Sequence, residues 1–357
     1  MSKVLMKGNE AVGAAAIKAG CKYFFGYPIT PQNEIPEYMA KKLPEVGGEF
    51  VQAESEVAAI NMVYGAAGCG ARVMTSSSSP GMALKQEGIS YLVGAELPAV
   101  IVNMMRGGPG LGGIQPAQSD YFMSVKGGGN GDYFMPVYAP ASIQETVDLI
   151  QEAFDVADQY RTPVMVIADG MVGQMMEPVE FRDVPHRDLK TKTWATDGTK
   201  MGTSDERKPN IINSLFLEAQ DLEDHTIMLE KKYNEIAKNE CRWEEYRLEG
   251  AEVVIAAYGT TARIVKNAID ILEADGIKVG LIRPITLWPF PDAAFDHIDS
   301  TTHTVLTVEM SRGQMIEDVR LALNGKLPTE FFGRTGGIIP TPEGVVKAVM
   351  KIVGGAK

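Results

Sequence analysis

FVQAESEVAAINMVYG, residues 50–65, runs from a β-type triplet, Phe50-Val51-Gln52, directly into an alanine-rich helical stretch. Val57, Ile60, Val63 and Tyr64 fall on one helical stripe, and the alanines and glycines between them permit close packing on a sheet, which predicts a helix over 54–70. Glu54, Ser55 and Glu56 stand at the junction, where free backbone N–H groups call for a cap and the helix dipole favours negative charge. Residue type alone suits Ser55 or Glu54 as the cap and Glu56 as a first-turn acid. Glu56 also precedes an almost wholly apolar helix, and a carboxyl beside buried surface can hold or donate a proton near neutrality.

The same strand-then-helix rhythm extends to both sides. Short β-type runs at 23–25, 72–75, 99–102 and 164–167 alternate with helical stretches, the order of a parallel sheet covered on both faces. After residue 250 the rhythm restarts with runs at 253–256, 279–282 and 304–308 and a helix over 261–274. This gives an α/β domain over 1–180 and a smaller α/β domain over 251–357. Residues 181–250 are more than twice as dense in charge as the domain before them. Their first part, 182–210, reads as a surface linker. Leu215, Leu222, Met228, Leu229, Ile236 and Trp243 then recur at helical spacing, as in an amphipathic helix or helix pair over 215–248.

Across 357 residues, 34 Lys and Arg face 46 Asp and Glu, a net charge of −12. No basic footprint is available for phosphates, which excludes nucleic acid as a main partner. No apolar run reaches the ~18 residues that a membrane helix needs, and MSKVLMKGNE at the start lacks the apolar core of a secretory signal, so the expected location is the cytoplasm. Cys21, Cys69 and Cys241 lie far apart, with no CxxC pair and no neighbouring His at metal-ligand spacing. Neither iron–sulfur clusters nor a structural zinc are encoded, no metal ligand is assigned to this chain, and Cys21 and Cys69 read as core filler. His186, His225, His297 and His303 all fall outside the glycine-rich first half, so chemistry there must rest on carboxylate, arginine, hydroxyl or backbone groups.

GYPITPQNE (26–34) follows the 23–25 run. Ligands bind beyond the carboxyl ends of strands in open α/β sheets, and two prolines rigidify this loop while Tyr27 and Thr30 present hydroxyls. Thr30 equally suits the N-cap of a following helix. TSSSSPGMALKQEG (75–88) offers clustered hydroxyls at a helix start; without a nearby His or a Gly-x-Ser-x-Gly motif it reads as a pocket wall, not a hydrolase nucleophile. In NMMRGGPGLGGIQPAQSDY (103–121), Gly108, Gly110 and Gly113 match the dinucleotide fingerprint by spacing, but Pro109 and the Ile114-Gln115-Pro116 that follows do not open the required helix. Arg106, at the end of an apolar run, could hold a carboxylate bidentately or form an ordinary salt bridge. KGGGNGD (126–132) suggests a mobile loop or lid, and LIRPITLWPFP (281–291) and VEMSRGQM (308–315) suit packing and interface.

In this order and at these separations, GYPITPQNE, QAESEVAAINMVYGAA, MTSSSSPG and MMRGGPG resemble the pyrimidine-binding alpha subunit of the thiamine-diphosphate-dependent 2-oxoacid:ferredoxin oxidoreductases, and in wording most of all those acting on 3-methyl-2-oxobutanoate (2-oxoisovalerate). The resemblance spans nearly the whole chain. It implies a thiamine-diphosphate-binding-type pyrimidine domain, a parallel sheet flanked by helices, followed by a transketolase-C-terminal-like domain. It further implies that Glu56 hydrogen-bonds the aminopyrimidine of thiamine diphosphate, that Tyr27, Pro28 and Ile29 line the cofactor, and that Thr30 and Arg106 hold the 2-oxoacid. The reaction implied is oxidative decarboxylation to an acyl-CoA with electrons passed to ferredoxin, an activity of anaerobic metabolism. The family's Gly-Asp-Gly motif with its downstream Asn pair is missing, since Ala168-Asp169-Gly170 and Gly131-Asp132-Tyr133 both break it. Diphosphate, Mg²⁺ and [4Fe-4S] clusters are therefore expected on partner chains, a beta subunit and a small ferredoxin-like subunit. 2-Oxoglutarate or pyruvate as substrate, and a non-catalytic α/β scaffold, are the alternatives.

Overall fold

Burial explains the central strands. Every residue of Val73–Ser77, Ala99–Met105 and Pro163–Asp169 is buried, as expected for parallel strands covered on both faces. In the computed structural model, which describes residues 3–184, 187–196 and 209–355, these three form the middle of a seven-stranded sheet. Its order is Thr286–Trp288, Val137–Tyr138, Pro163–Asp169, Ala99–Met105, Val73–Ser77, Tyr23–Gly26, Glu49–Gln52. All neighbours are parallel except the first pair. Helices Gly8–Lys18 and Ile143–Tyr160 pack together over this sheet, the latter capped by the Ser142 hydroxyl accepting from the Glu145 N–H at 3.1 Å. The antiparallel pair Val4–Lys7 and Met176–Val179 closes one end.

The second sheet runs Thr329–Gly333, Thr304–Glu309, Val253–Ala256, Val279–Pro284, Trp243–Tyr246, parallel except at the last strand. Two pairings lie beyond the reach of local periodicity. Trp243–Tyr246 falls inside the expected 181–250 connector yet pairs with Val279–Pro284, and Thr286–Trp288 crosses over to extend the first sheet. The connector's helical part is one helix, Ala219–Glu240, instead of a pair. The surface linker expected over 182–210 lies partly outside the described residues, as does His186.

The two sheets are locked together by buried polar contacts. The Gln118 side chain donates to the Tyr258 carbonyl at 2.9 Å and accepts from the Thr261 hydroxyl at 2.7 Å and the Met310 N–H at 2.9 Å. Buried Arg283 grips both Glu145 oxygens at 2.9 Å and Glu244 at 2.7 Å. The 281–291 and 308–315 stretches thus both lie at this contact. No helix among the described residues is long and apolar enough to cross a membrane.

Candidate active site

The carboxyl ends of four adjacent strands converge on one edge of the first sheet, and each contributes a loop. From Glu49–Gln52 the chain passes through Ser55, whose hydroxyl accepts from the Ala58 N–H at 3.1 Å, into helix Glu56–Gly68. Ser55 is therefore the cap, which leaves Glu56 free of that duty. The helix is shorter than 54–70, and its buried stripe is Ile60 and Val63; Val57 is 44% exposed, a correction to the expected face. Glu56 itself is only 6% exposed.

What surrounds Glu56 defines its chemistry. Among the described residues no side chain or backbone N–H donates to its carboxylate. Its Oε1 lies over Gly81, where a Cβ would approach to 2.4 Å, and the same Cβ would meet Ser77 Oγ at 2.3 Å. Gly81 in helix Ser79–Leu84 thus lets the backbone close over the carboxylate, and the buried hydroxyls of Ser77 and Ser78 have no partner. A buried carboxylate with no protein donor is a strong acceptor awaiting one. Thr75 and Ser76 are structural: Thr75 donates to the Phe25 carbonyl at 2.6 Å, and Ser76 to Gln32 Oε1 at 2.5 Å, which folds the 26–34 loop over the sheet.

That loop does not use Thr30 as a cap. Helix Glu34–Lys42 begins after Asn33, and the Thr30–Pro31 peptide is cis, so the N-cap reading of Thr30 is corrected. Pro31 is fixed through its carbonyl by Asn9 at 2.7 Å and Gln174 at 2.9 Å. Half-buried Thr30 faces a 520 Å³ cleft with Ile114, Pro116, Met171 and Ile339. Arg106, 6% exposed, donates from Nη1 to the Thr30 carbonyl at 2.9 Å and from Nη2 to the Leu111 carbonyl at 3.0 Å, while its buried Nε has no partner. Among the described residues Arg106 forms no salt bridge to an acid; it braces the two loops that border the cleft.

Behind Arg106 lies a network not anticipated from sequence. Ser79 Oγ accepts from the Arg106 N–H at 3.0 Å and donates to Asp120 at 2.5 Å, and Asn103 donates to the same Asp120 oxygen at 3.0 Å. Burial pushes the Asp120 carboxyl up despite these donors. Also unforeseen is Lys85, wholly buried between helices Ser79–Leu84 and Gln86–Gly94. Its one signal in the sequence is a lone cation inside the largely apolar stretch MALKQEGISYLVG. The 126–132 loop packs on Gln86 and Ser90 of the neighbouring helix. Cys21 is core, as expected, but Cys69 is exposed at the end of helix Glu56–Gly68, a correction: a residue just past a helix terminus need not face the sheet that the helix covers.

The largest cleft, 890 Å³ between strand Thr329–Gly333 and helix Pro342–Gly355, contains none of these residues; buried acceptor and cation chemistry, not volume, locates the site.

Similarity to known proteins extends over nearly the whole chain. Residues 14–242 match the thiamine-diphosphate-binding domain of pyruvate flavodoxin/ferredoxin oxidoreductases, and residues 251–345 match core domain II of pyruvate:ferredoxin oxidoreductase. The chain is 50% identical to the ketoisovalerate oxidoreductase subunit VorB of Methanothermobacter marburgensis, covering 99% of each. It is 35% identical to the 2-oxoglutarate synthase subunit KorA of Methanocaldococcus jannaschii, covering 98% of this chain and 100% of that one. Among solved structures, the 2-oxoglutarate:ferredoxin oxidoreductase from Magnetococcus marinus with 2-oxoglutarate, coenzyme A and succinyl-CoA bound superposes with a TM-score of 0.85 at 28% identity. The match covers 98% of this chain and 65% of that one.

Proposed function

The chain belongs to the pyruvate flavodoxin/ferredoxin oxidoreductase family, and from that premise we propose that it is the alpha subunit of an enzyme that oxidatively decarboxylates a branched 2-oxoacid, 2-oxoisovalerate, to its acyl-CoA. The carrying observation is the Glu56 carboxylate, buried, bare of protein donors and pressed against Gly81. That is the environment a pyrimidine ring nitrogen would complete, so the residues present fit thiamine diphosphate. When bound, the cofactor supplies the carbanion chemistry that cleaves the bond between a 2-oxo carbon and its carboxylate.

The chain's own residues do the rest. Glu56 accepts and returns a proton at the ring nitrogen, in a site dry enough for that proton to be shared. Tyr27, Pro28 and Ile29 flank the ring, and Thr30 donates its hydroxyl to the substrate. Arg106, already aimed along the Thr30 loop and with Nε unpaired, holds the substrate carboxylate. The aliphatic lining of the adjacent cleft, from Ile114, Pro116, Met171 and Ile339, includes no cation, which favours an aliphatic side chain over the second carboxylate of 2-oxoglutarate.

The rim around Glu56 supports a shared site. Tyr27, Val51, Val57 and Met62 are between 37 and 44% exposed, an apolar border that a beta subunit carrying the diphosphate and Mg²⁺ would cover. The three cysteines are free and far apart in the chain, which supports a route for electrons to ferredoxin through [4Fe-4S] clusters on another subunit.

Glu56→Gln in the assembled enzyme tests this reading. Turnover of 2-oxoisovalerate should vanish while the subunits still co-elute; near-normal turnover would sink the assignment. A substrate panel with 2-oxoglutarate and pyruvate decides the acid.

A further inference from the structure

Lys85 has no place in the scheme above, and its position is costly. The side chain is fully buried, with Nζ donating to Thr75 Oγ1 at 2.5 Å and to the Ser76 carbonyl at 3.1 Å. Two neutral acceptors do not compensate a buried ammonium, which in folded proteins requires an opposite charge or deprotonation. The elements around it offer one such charge. Strand Val73–Ser77 presents the Thr75 hydroxyl and the Ser76 carbonyl. Helix Gln86–Gly94 carries Glu87, but that acid is exposed and accepts from the Tyr91 hydroxyl at 2.7 Å. Helix Glu56–Gly68 packs on both helices flanking Lys85, with Ile60 against Gly88, and its first residue, Glu56, is the one charged group among the described residues that acts on Lys85.

We propose that Lys85 is the counter-charge of Glu56, a positioning residue that keeps the carboxylate ionised and oriented in its dry site from behind, while its open side faces the ligand. This rests on reading Glu56 as the cofactor's partner. The juxtaposition explains how a buried carboxylate without a single protein hydrogen bond is tolerated: its compensation is electrostatic, delivered across the strand end by an ammonium that Thr75 and Ser76 hold in place. Burial pulls Lys85 down to about 7 while Glu56 pulls it back up, so the two charges are coupled, and each fixes the protonation of the other.

The test uses the full chain without cofactor, and then the assembled enzyme. The unfolded lysine holds its proton to about pH 10.4, whereas the folded one releases it from about 7, so wild-type stability to urea rises with pH between those values. In Glu56→Gln that rise should begin about one pH unit lower, because the group that retains the proton is gone. In Lys85→Gln, which keeps donors for Thr75 and Ser76, the rise should be absent. Superimposable wild-type and Glu56→Gln curves would overturn the coupling. In the assembled enzyme, Lys85→Gln and Lys85→Met should both move the acid limb of the pH–rate profile upward by about one unit. A shift in the Met variant alone would reassign Lys85 to a hydrogen-bonding role and end the proposal. If Glu56→Gln retains normal turnover, the cofactor reading fails, and the urea curves still decide whether the two charges are coupled.

Discussion

Arg106 donates from Nη1 to the main-chain carbonyl of Thr30, 2.9 Å away, so the two residues assigned to the substrate are joined before any substrate arrives. With Nη2 on the Leu111 carbonyl and Nε unpaired, the guanidinium is buried, oriented and incompletely satisfied. A cation held in this way loses little conformational freedom when it binds an anion.

Arg106→Ala should therefore raise KM for the 2-oxoacid much more than KM for coenzyme A. Losing a charged hydrogen bond costs about 1.5–3 kcal/mol, or roughly one to two orders of magnitude in affinity. Steady-state kinetics with each substrate varied in turn measures the split, and equal effects on both would make Arg106 a loop brace only.

Gly81→Ala places a methyl 2.4 Å from Glu56 Oε1 and 2.3 Å from Ser77 Oγ. Alanine is ordinarily the better helix former, so a purely local effect would stabilise the chain. Overpacking instead should cost about 1–3 kcal/mol and displace the carboxylate. Because a misplacement of about 1 Å can cost on the order of a hundredfold in rate, turnover should fall by about tenfold or more. Thermal denaturation alongside turnover checks both halves.

Asp120 supplies a pH prediction. Burial raises its pKa above the unfolded value, so at low pH both states are protonated and there is no cost, and the cost appears as pH rises above the unfolded value and is complete beyond the folded one. Asp120→Asn keeps an acceptor for Ser79 and Asn103 and removes the charge. The variant should exceed wild type in stability at a pH of about 7.5, with the difference shrinking toward about 4.5. Urea titrations at the two pH values test this, and an advantage that grows on acidification would contradict it.

Arg283→Met tests the lock between the two sheets. It leaves Glu145 and Glu244 without the guanidinium that holds both, and breaking a buried pair in this way costs about 3–5 kcal/mol. The midpoint of urea unfolding should fall accordingly. A loss below about 1 kcal/mol would show that Lys266, the other partner of Glu244, and solvent suffice.

Much of this protein is written locally. Alternating β-type runs and apolar helical stripes reveal a parallel sheet because strand and helix periods are properties of neighbouring residues. Ser55 before an apolar helix is readable as a cap for the same reason, and it frees Glu56. The four ordered motifs fall on loops after strands, where an open α/β sheet gathers ligands. Other features depend on which distant segments meet. Trp243–Tyr246 and Thr286–Trp288 join sheets whose other strands lie far away in sequence, and nothing in their own composition records the partner. Lys85 looks like any surface lysine until three elements close around it and leave Glu56 as its one opposing charge among the described residues. The sequence by itself determined the alternation of elements and the residue types available at the strand ends. Tertiary structure decided which of those groups lost water and which faced each other, because desolvation and charge pairing arise only where chain segments remote in sequence are packed together.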